Sequence, residues 1–428
     1  MADPGMSVTP YWELTFDADG DVDGAERDRL LAQVADHGVR DLIVFSHGWN
    51  SDRSGATALY RRFFAPLPKL APRARLGYVG VLWPSMRFSD EPIPDFPESL
   101  AAQAGPRPAL DEETRRALLE TFPGQAAVLD RLARLLDERP AGSAGLAEFG
   151  RLVRLLPDED GRQAVADTDE DGEPVLFGGD PVAACDQLAG ALTALGPPGA
   201  PFALPNPWDG AKELLRQAAY YRMKRRAGTV GERGLGPLLG RLAGAAPGVR
   251  VHLVGHSFGG RLVAFALRAL PADVRVVASV TLLQGAFSHY AFAARLPHAP
   301  DRSGALRDLQ RRVDGPVVCC HSRYDAALGT FYPLAARLAG DDRACAGGEI
   351  AAVLGPRWGA LGHDGVQAVP GTARLDLAAA LGGRLPASGC VNVDAAAVVR
   401  RGGAPAGAHC DIVHPELARL VLAAGRIT

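Results

Sequence analysis

"VHLVGHSFGG", Val251 to Gly260, sets a short, mostly apolar run against a G-x-S-x-G turn, and a helix-spaced apolar series follows at Leu262, Val263, Phe265, Ala266 and Leu267. A strand, a sharp turn and a helix are the context in which a serine between two glycines becomes an exposed nucleophile. Side chains at Gly255 and Gly259 would collide as the backbone closes around Ser257, and the helix N-terminus brings amide donors and a positive dipole to its hydroxyl. The bland alternative is a serine that caps a helix, a common use of that residue. The rest of the chain has to choose between them.

Upstream, "YWELTF" reads as a strand and "DVDGAERDRLLAQVADHG" as a helix, with Asp23 as N-cap and Glu26 at capping-box spacing. The unbroken apolar run Leu42 to Phe45 and the strand "LGYVGVLWPS" suit a sheet covered on both faces, with helical spacing in Ala56 to Phe64 as the crossover. Downstream come a helix around "KELLRQAAYYRMKRR", the strand before Ser257, strands "VRVVASVTLL" and "GPVVCCHS", a further strand in "CVNVDAAAVV" and a last helix in "HPELARLVLAAG". This alternation predicts an α/β fold with a mainly parallel central sheet and helices on both faces. Between these halves, residues 86–207 change character: proline-rich ends flank leucines at helical spacing in "EETRRALLETF", "AAVLDRLARLLDE" and "AGLAEFGRLVRLLP". The expected organisation is a core in two parts, 1–85 and 208–428, with 86–207 as a large, mostly helical cap.

Composition narrows the function classes. The chain has 428 residues, 47% of them hydrophobic, and a formal net charge of −3, which gives no electrostatic case for nucleic acid. No apolar run approaches a membrane span, and "MADPGMSVTPYWELTFDADG" lacks the pattern of a secretory signal, so a soluble cytoplasmic protein is expected. The cysteines, Cys185, Cys319, Cys320, Cys345, Cys390 and Cys410, form no C-x-x-C pair and read as free, mostly buried thiols.

Ligands of an open α/β sheet sit beyond the carboxyl ends of its strands, so strand-end residues carry the chemistry. A serine hydroxyl needs an imidazole to take its proton and a carboxylate to orient the imidazole, in the chain order serine, acid, histidine. Asp325 follows the strand in "VVCCHSRYD", with Asp394 after "CVNV" as its rival. His409 lies on a glycine-preceded loop, with His414 and His363 as the other candidates; His414, before Pro415, suits a helix start. Two backbone amides must face the developing oxyanion: Phe258 supplies one, and Trp49, in "HGWN" after the strand Leu42 to Phe45, is the natural second, with Gly48 beside it.

Taken together, "FSHGWN", "GVLWPS", "YYRMKRRAG", "HLVGHSFGGRLV", "LLQGAFSH", "HSRYD" and "AHCDI" resemble serine hydrolases of the α/β-hydrolase superfamily, in particular an esterase/lipase-like bacterial branch. The resemblance covers about Val39 to Pro84 and Leu214 to the C-terminus. It implies Ser257 as nucleophile, Asp325 as acid, His409 as base and the Trp49 and Phe258 amides as oxyanion hole. The implied substrate is a small acyl compound, and neither metal nor organic cofactor is needed. In one departure, the insertion here precedes the nucleophile strand, whereas many caps in the superfamily follow it. Acyl transfer, thioester or amide cleavage on the same residues, and a non-catalytic binding module, remain the rival functions.

Other signals have structural readings. His47 reads as a member of the oxyanion loop, and His252 and His256 as packing or supporting residues on a strand. "DGDVDG" (Asp19 to Gly24) and "DTDEDG" (Asp167 to Gly172) start like calcium loops but carry Leu30 and Gly178 where a glutamate is required, and read as solvated turns. The cations of "RMKRRAG" suit a helix C-terminus.

Overall fold

A computed structural model describes residues 5–88, 108–156, 167–168, 179–194, 204–331, 356–403 and 406–428. Eight strands form one sheet: β1 (Tyr11–Thr15), β2 (Asp41–Ser46), β3 (Leu76–Leu82), β4 (Arg250–His256), β5 (Val277–Leu283), β6 (Pro316–His321), β7 (Ala373–Asp376) and β8 (Gly389–Asp394). They lie in the order β1-β3-β2-β4-β5-β6-β8-β7, and every neighbouring pair is parallel. The central strands β2 and β3 are buried along their whole length, as their unbroken apolar runs require. Edge strand β7 alternates half-buried and exposed residues, and its four residues hold too little apolar signal to be read from sequence.

Alternate residues of each strand feed two cores. Val44, Val79, Leu253 and Leu282 pack under the helices Gly24–Asp36, Pro207–Thr229 and Phe258–Ala269, whereas Phe45, Tyr78, Val254 and Leu283 pack under Arg53–Phe64 and Pro415–Gly425. Within the insertion, helices Glu112–Thr121, Ala126–Glu138, Ser143–Val153 and Pro181–Ala194 follow the leucine spacing. Their buried faces, with Leu118, Leu132, Phe149 and Leu188, belong to the same continuous core as Leu253. The helix Pro181–Ala194 crosses Pro207–Thr229 closely: a Cβ on Gly210 would stand 1.9 Å from the Cys185 carbonyl oxygen.

Three local expectations change. The capping residue Asp23 accepts from Glu26 N at 2.9 Å, but the Glu26 carboxylate turns away from the cap to accept from Thr15 N at 2.6 Å, tying the helix to β1. The helix bearing "RMKRRAG" does not end there. It runs on through a wider turn, Val230–Leu235, into Gly236–Ala245, where Gly231 and Gly236 lie against the Leu262 and Ala266 carbonyls and leave no room for a Cβ. Arg226 accordingly donates to the Pro84 carbonyl at 2.6 Å and not to a helix C-terminus.

The third change concerns Asp167, which is not a solvated turn residue. It is fully buried between Arg261, which is equally buried, and Lys224 Nζ at 2.7 Å, and it also accepts from Ser288 N at 3.1 Å. A carboxylate so deep requires paired cations, and these come from two helices of the core. The remainder of "DTDEDG" past Thr168 lies outside the described residues, as does Cys345; none of the other five cysteines is in a disulfide, and Cys410 is partly exposed while the rest are buried. Burial pushes the Cys320 thiol up to about 12, as befits packing in β6.

No helix among the described residues is long and apolar enough to cross a membrane.

Candidate active site

Ser257 stands between β4 and the helix Phe258–Ala269 with φ 53° and ψ −121°, a backbone region that non-glycine residues avoid. The neighbouring glycines make the turn possible. A Cβ on Gly255 would lie 2.3 Å from the Gly259 carbonyl oxygen, and one on Gly259 would lie 2.1 Å from that of Ser46. Gly48 passes so close over the serine that its own Cβ would be 2.8 Å from that of Ser257.

The serine meets its expected partners. His409 Nε2 is 2.9 Å from Ser257 Oγ, and His409 Nδ1 is 2.8 Å from Asp325 Oδ2. Asp325 is fully buried, and its second oxygen accepts from Leu328 N at 3.0 Å, which fixes the carboxylate plane. The acid loop and the histidine loop are stitched directly: Ala408 N donates to the Tyr324 carbonyl at 2.8 Å. With Asp325 accepting at Nδ1–H, the lone pair of Nε2 faces the hydroxyl, the arrangement that proton removal from a serine needs.

The rival residues are engaged elsewhere. Asp394 Oδ1 accepts from Ala396 N at 2.9 Å, His414 Nε2 pairs with Asp411 at 2.8 Å as it opens the last helix, and His363 Nδ1 pairs with Asp364 at 2.8 Å.

The "HGWN" loop is held from three sides. His47 N donates to the Tyr60 hydroxyl at 3.0 Å, Trp83 Nε1 donates to the His47 carbonyl at 3.0 Å, and the His47 ring stacks on Trp83 with centroids 5.5 Å apart. Burial pulls the His47 imidazole down to about 4 although Nδ1 contacts the Gly48 carbonyl, so it is a neutral structural ring. Neither the Trp49 nor the Phe258 amide has a hydrogen-bond acceptor among the described residues, which leaves two main-chain donors open beside Ser257. The Trp49 ring packs on Phe258, Tyr220 and Phe88.

His256 and His252 behave differently although both lie on β4. His256 Nε2 donates to the His409 carbonyl at 2.9 Å, and burial lowers its imidazole to about 3, so it stays neutral. His252 bridges Ser279 Oγ at 2.9 Å and Asp41 Oδ1 at 3.1 Å, a second serine–histidine–aspartate chain. That chain is sealed at the opposite, N-terminal edge of the sheet, where Arg250 also binds Asp41 and no tight turn presents the serine. It is a buried polar network and a useful contrast: the residue types alone do not make a reactive site.

Sequence reasoning does not single out Tyr60, the support of the loop, or Gln284. Tyr60 gave only a helix-spacing signal, and "LLQGAFSH" gave no role to its glutamine. Comparison of the chain with protein-family models, with curated proteins and with solved structures found no match.

Proposed function

We propose that this chain is a serine hydrolase with the α/β-hydrolase fold, cleaving carboxylic esters through an acyl-enzyme on Ser257. The observation that carries this reading is the continuous hydrogen-bond chain from Asp325 through His409 to Ser257 Oγ, at 2.8 and 2.9 Å, on a backbone held at positive φ. All members stand beyond the C-terminal ends of β4, β6 and β8, the ligand-binding edge of such a sheet.

In the proposed reaction His409 Nε2 takes the Ser257 proton as Oγ attacks the ester carbonyl. The new oxyanion is met by the Trp49 and Phe258 amides, while Asp325 keeps the imidazole oriented and stabilises its cationic form. Collapse of the tetrahedral species breaks the ester C–O bond, and His409 returns the proton to the leaving alcohol. A water molecule, deprotonated by the same nitrogen, then releases the acid and restores Ser257.

The deciding experiment is intact-mass labelling with a fluorophosphonate. One adduct on the native chain, absent from Ser257→Ala and His409→Ala, is expected; a native chain that takes no adduct refutes the activated serine.

A further inference from the structure

Gln284 is fully buried, and neither its amide nitrogen nor its carbonyl oxygen has a hydrogen-bond partner. Among the described residues no other side-chain amide leaves both its nitrogen and its oxygen unpaired. Its backbone also sits at φ 46°, in the left-handed region. Burying such a carboxamide without partners is unfavourable, and a strained non-glycine backbone adds to the cost. A group left in that state calls for a partner that the chain does not supply, and strained non-glycine backbone clusters at active sites and ligand clamps.

Its place in the fold says which ligand. Gln284 follows the last residue of β5, and β5 lies between β4, which leads into Ser257, and β6, which leads to Asp325. The main chain locks it there: Ser257 N donates to the Leu283 carbonyl at 3.1 Å, Gln284 N to Cys320 at 3.3 Å, and Ala286 N to Ser257 at 3.2 Å. On the other flank of Ser257, beyond β2, the Trp49 indole N–H is likewise buried and unpaired. Ser257 itself is only 6% exposed, so the serine and Gln284 share one buried row of strand ends.

Resting on the hydrolase reading above, we propose that the Gln284 carboxamide is a substrate-recognition group, selecting esters that carry a neutral hydroxyl or amide near the scissile carbonyl. A carboxamide offers an N–H donor group and a carbonyl acceptor without charge, which matches a group that also donates and accepts. A plain alkyl acyl chain would leave both orphaned, so simple fatty esters are poor substrates.

The test compares kcat/KM of the native chain and Gln284→Met on two matched pairs: p-nitrophenyl 3-hydroxybutyrate against the butyrate, and p-nitrophenyl N-acetylglycinate against the pentanoate. Dividing the native preference within each pair by that of the variant cancels intrinsic reactivity. The expected result is a drop in preference for the polar ester of about tenfold or more, in the hydroxyl pair or the amide pair according to which group is bound. Melting temperature is the second readout. It should hold or rise in Gln284→Met, because an apolar isostere removes two unsatisfied groups. A labelled native chain whose preference is unchanged in the variant overturns the subsite alone, as does a variant that melts several degrees lower, which would make Gln284 structural. A native chain that takes no fluorophosphonate overturns the hydrolase reading and the subsite with it.

Discussion

His256 Nε2 donates to the backbone carbonyl of His409 at 2.9 Å, so the residue before the serine holds the loop that presents the serine's imidazole partner. The two rings lie with centroids 5.1 Å apart, and a neutral His256 makes this contact without placing a cation beside His409. Removing the tether in His256→Ala should slow fluorophosphonate labelling by roughly 10- to 100-fold, since small displacements of a reacting group cost that much. His256→Gln, which keeps a donor, should recover part of the rate. Equal labelling rates in all three chains would show that the loop positions itself.

Buried neutral imidazoles make stability depend on pH. Burial places His47 at about 4 and His256 at about 3 in the folded chain, against about 6.5 when unfolded. Between those values the unfolded chain binds more protons, so stability falls as pH drops below about 6.5; above it neither ring contributes a slope. Each ring adds at most about 1.4 kcal/mol per pH unit. Melting temperatures measured from pH 7.5 to 5 should therefore decline, and less steeply for His256→Gln. An identical slope in the variant would remove His256 from the account.

The strained turn should be visible in stability once the hydroxyl is gone. With φ at 53°, Ser257→Gly should be more stable than Ser257→Ala by about 1 kcal/mol, although neither reacts with the probe. Denaturant melts of the two variants measure the difference. Equal midpoints would mean that the backbone relaxes without cost.

The fully buried Asp167 faces Arg261, four residues past the serine, and Lys224 on the neighbouring helix. Asp167→Asn leaves those cations underneutralised and should cost about 3–5 kcal/mol, whereas pairing Asp167→Leu with Arg261→Met should cost less than the sum of the single changes. Additive losses in a double-mutant cycle would show that the pair is not coupled.

Local sequence determined the parts of this protein whose physics is local. An apolar run, two glycines and a helix-spaced series around Ser257 require a strand, a tight turn and a helix, and the structure places β4 and Phe258–Ala269 there. The unbroken apolar runs of β2 and β3 likewise demanded burial on both faces. What remained open was decided by tertiary structure. Asp394 ends a strand and Asp325 lies just past the end of one, and His409 and His414 share one loop region; only the pairing of β6 with β8 and the contacts of Ala396 and Asp411 assign the rivals to other work. The four-residue edge strand β7 buries too little to leave a periodic pattern. Asp167 looked like a solvated turn because its charges are neutralised by residues 57 and 94 positions away, and Gln284 looked ordinary because what marks it is the absence of partners in three dimensions. Spacing along a chain encodes which face a side chain takes, but pairing between distant strand ends exists only once the sheet has assembled.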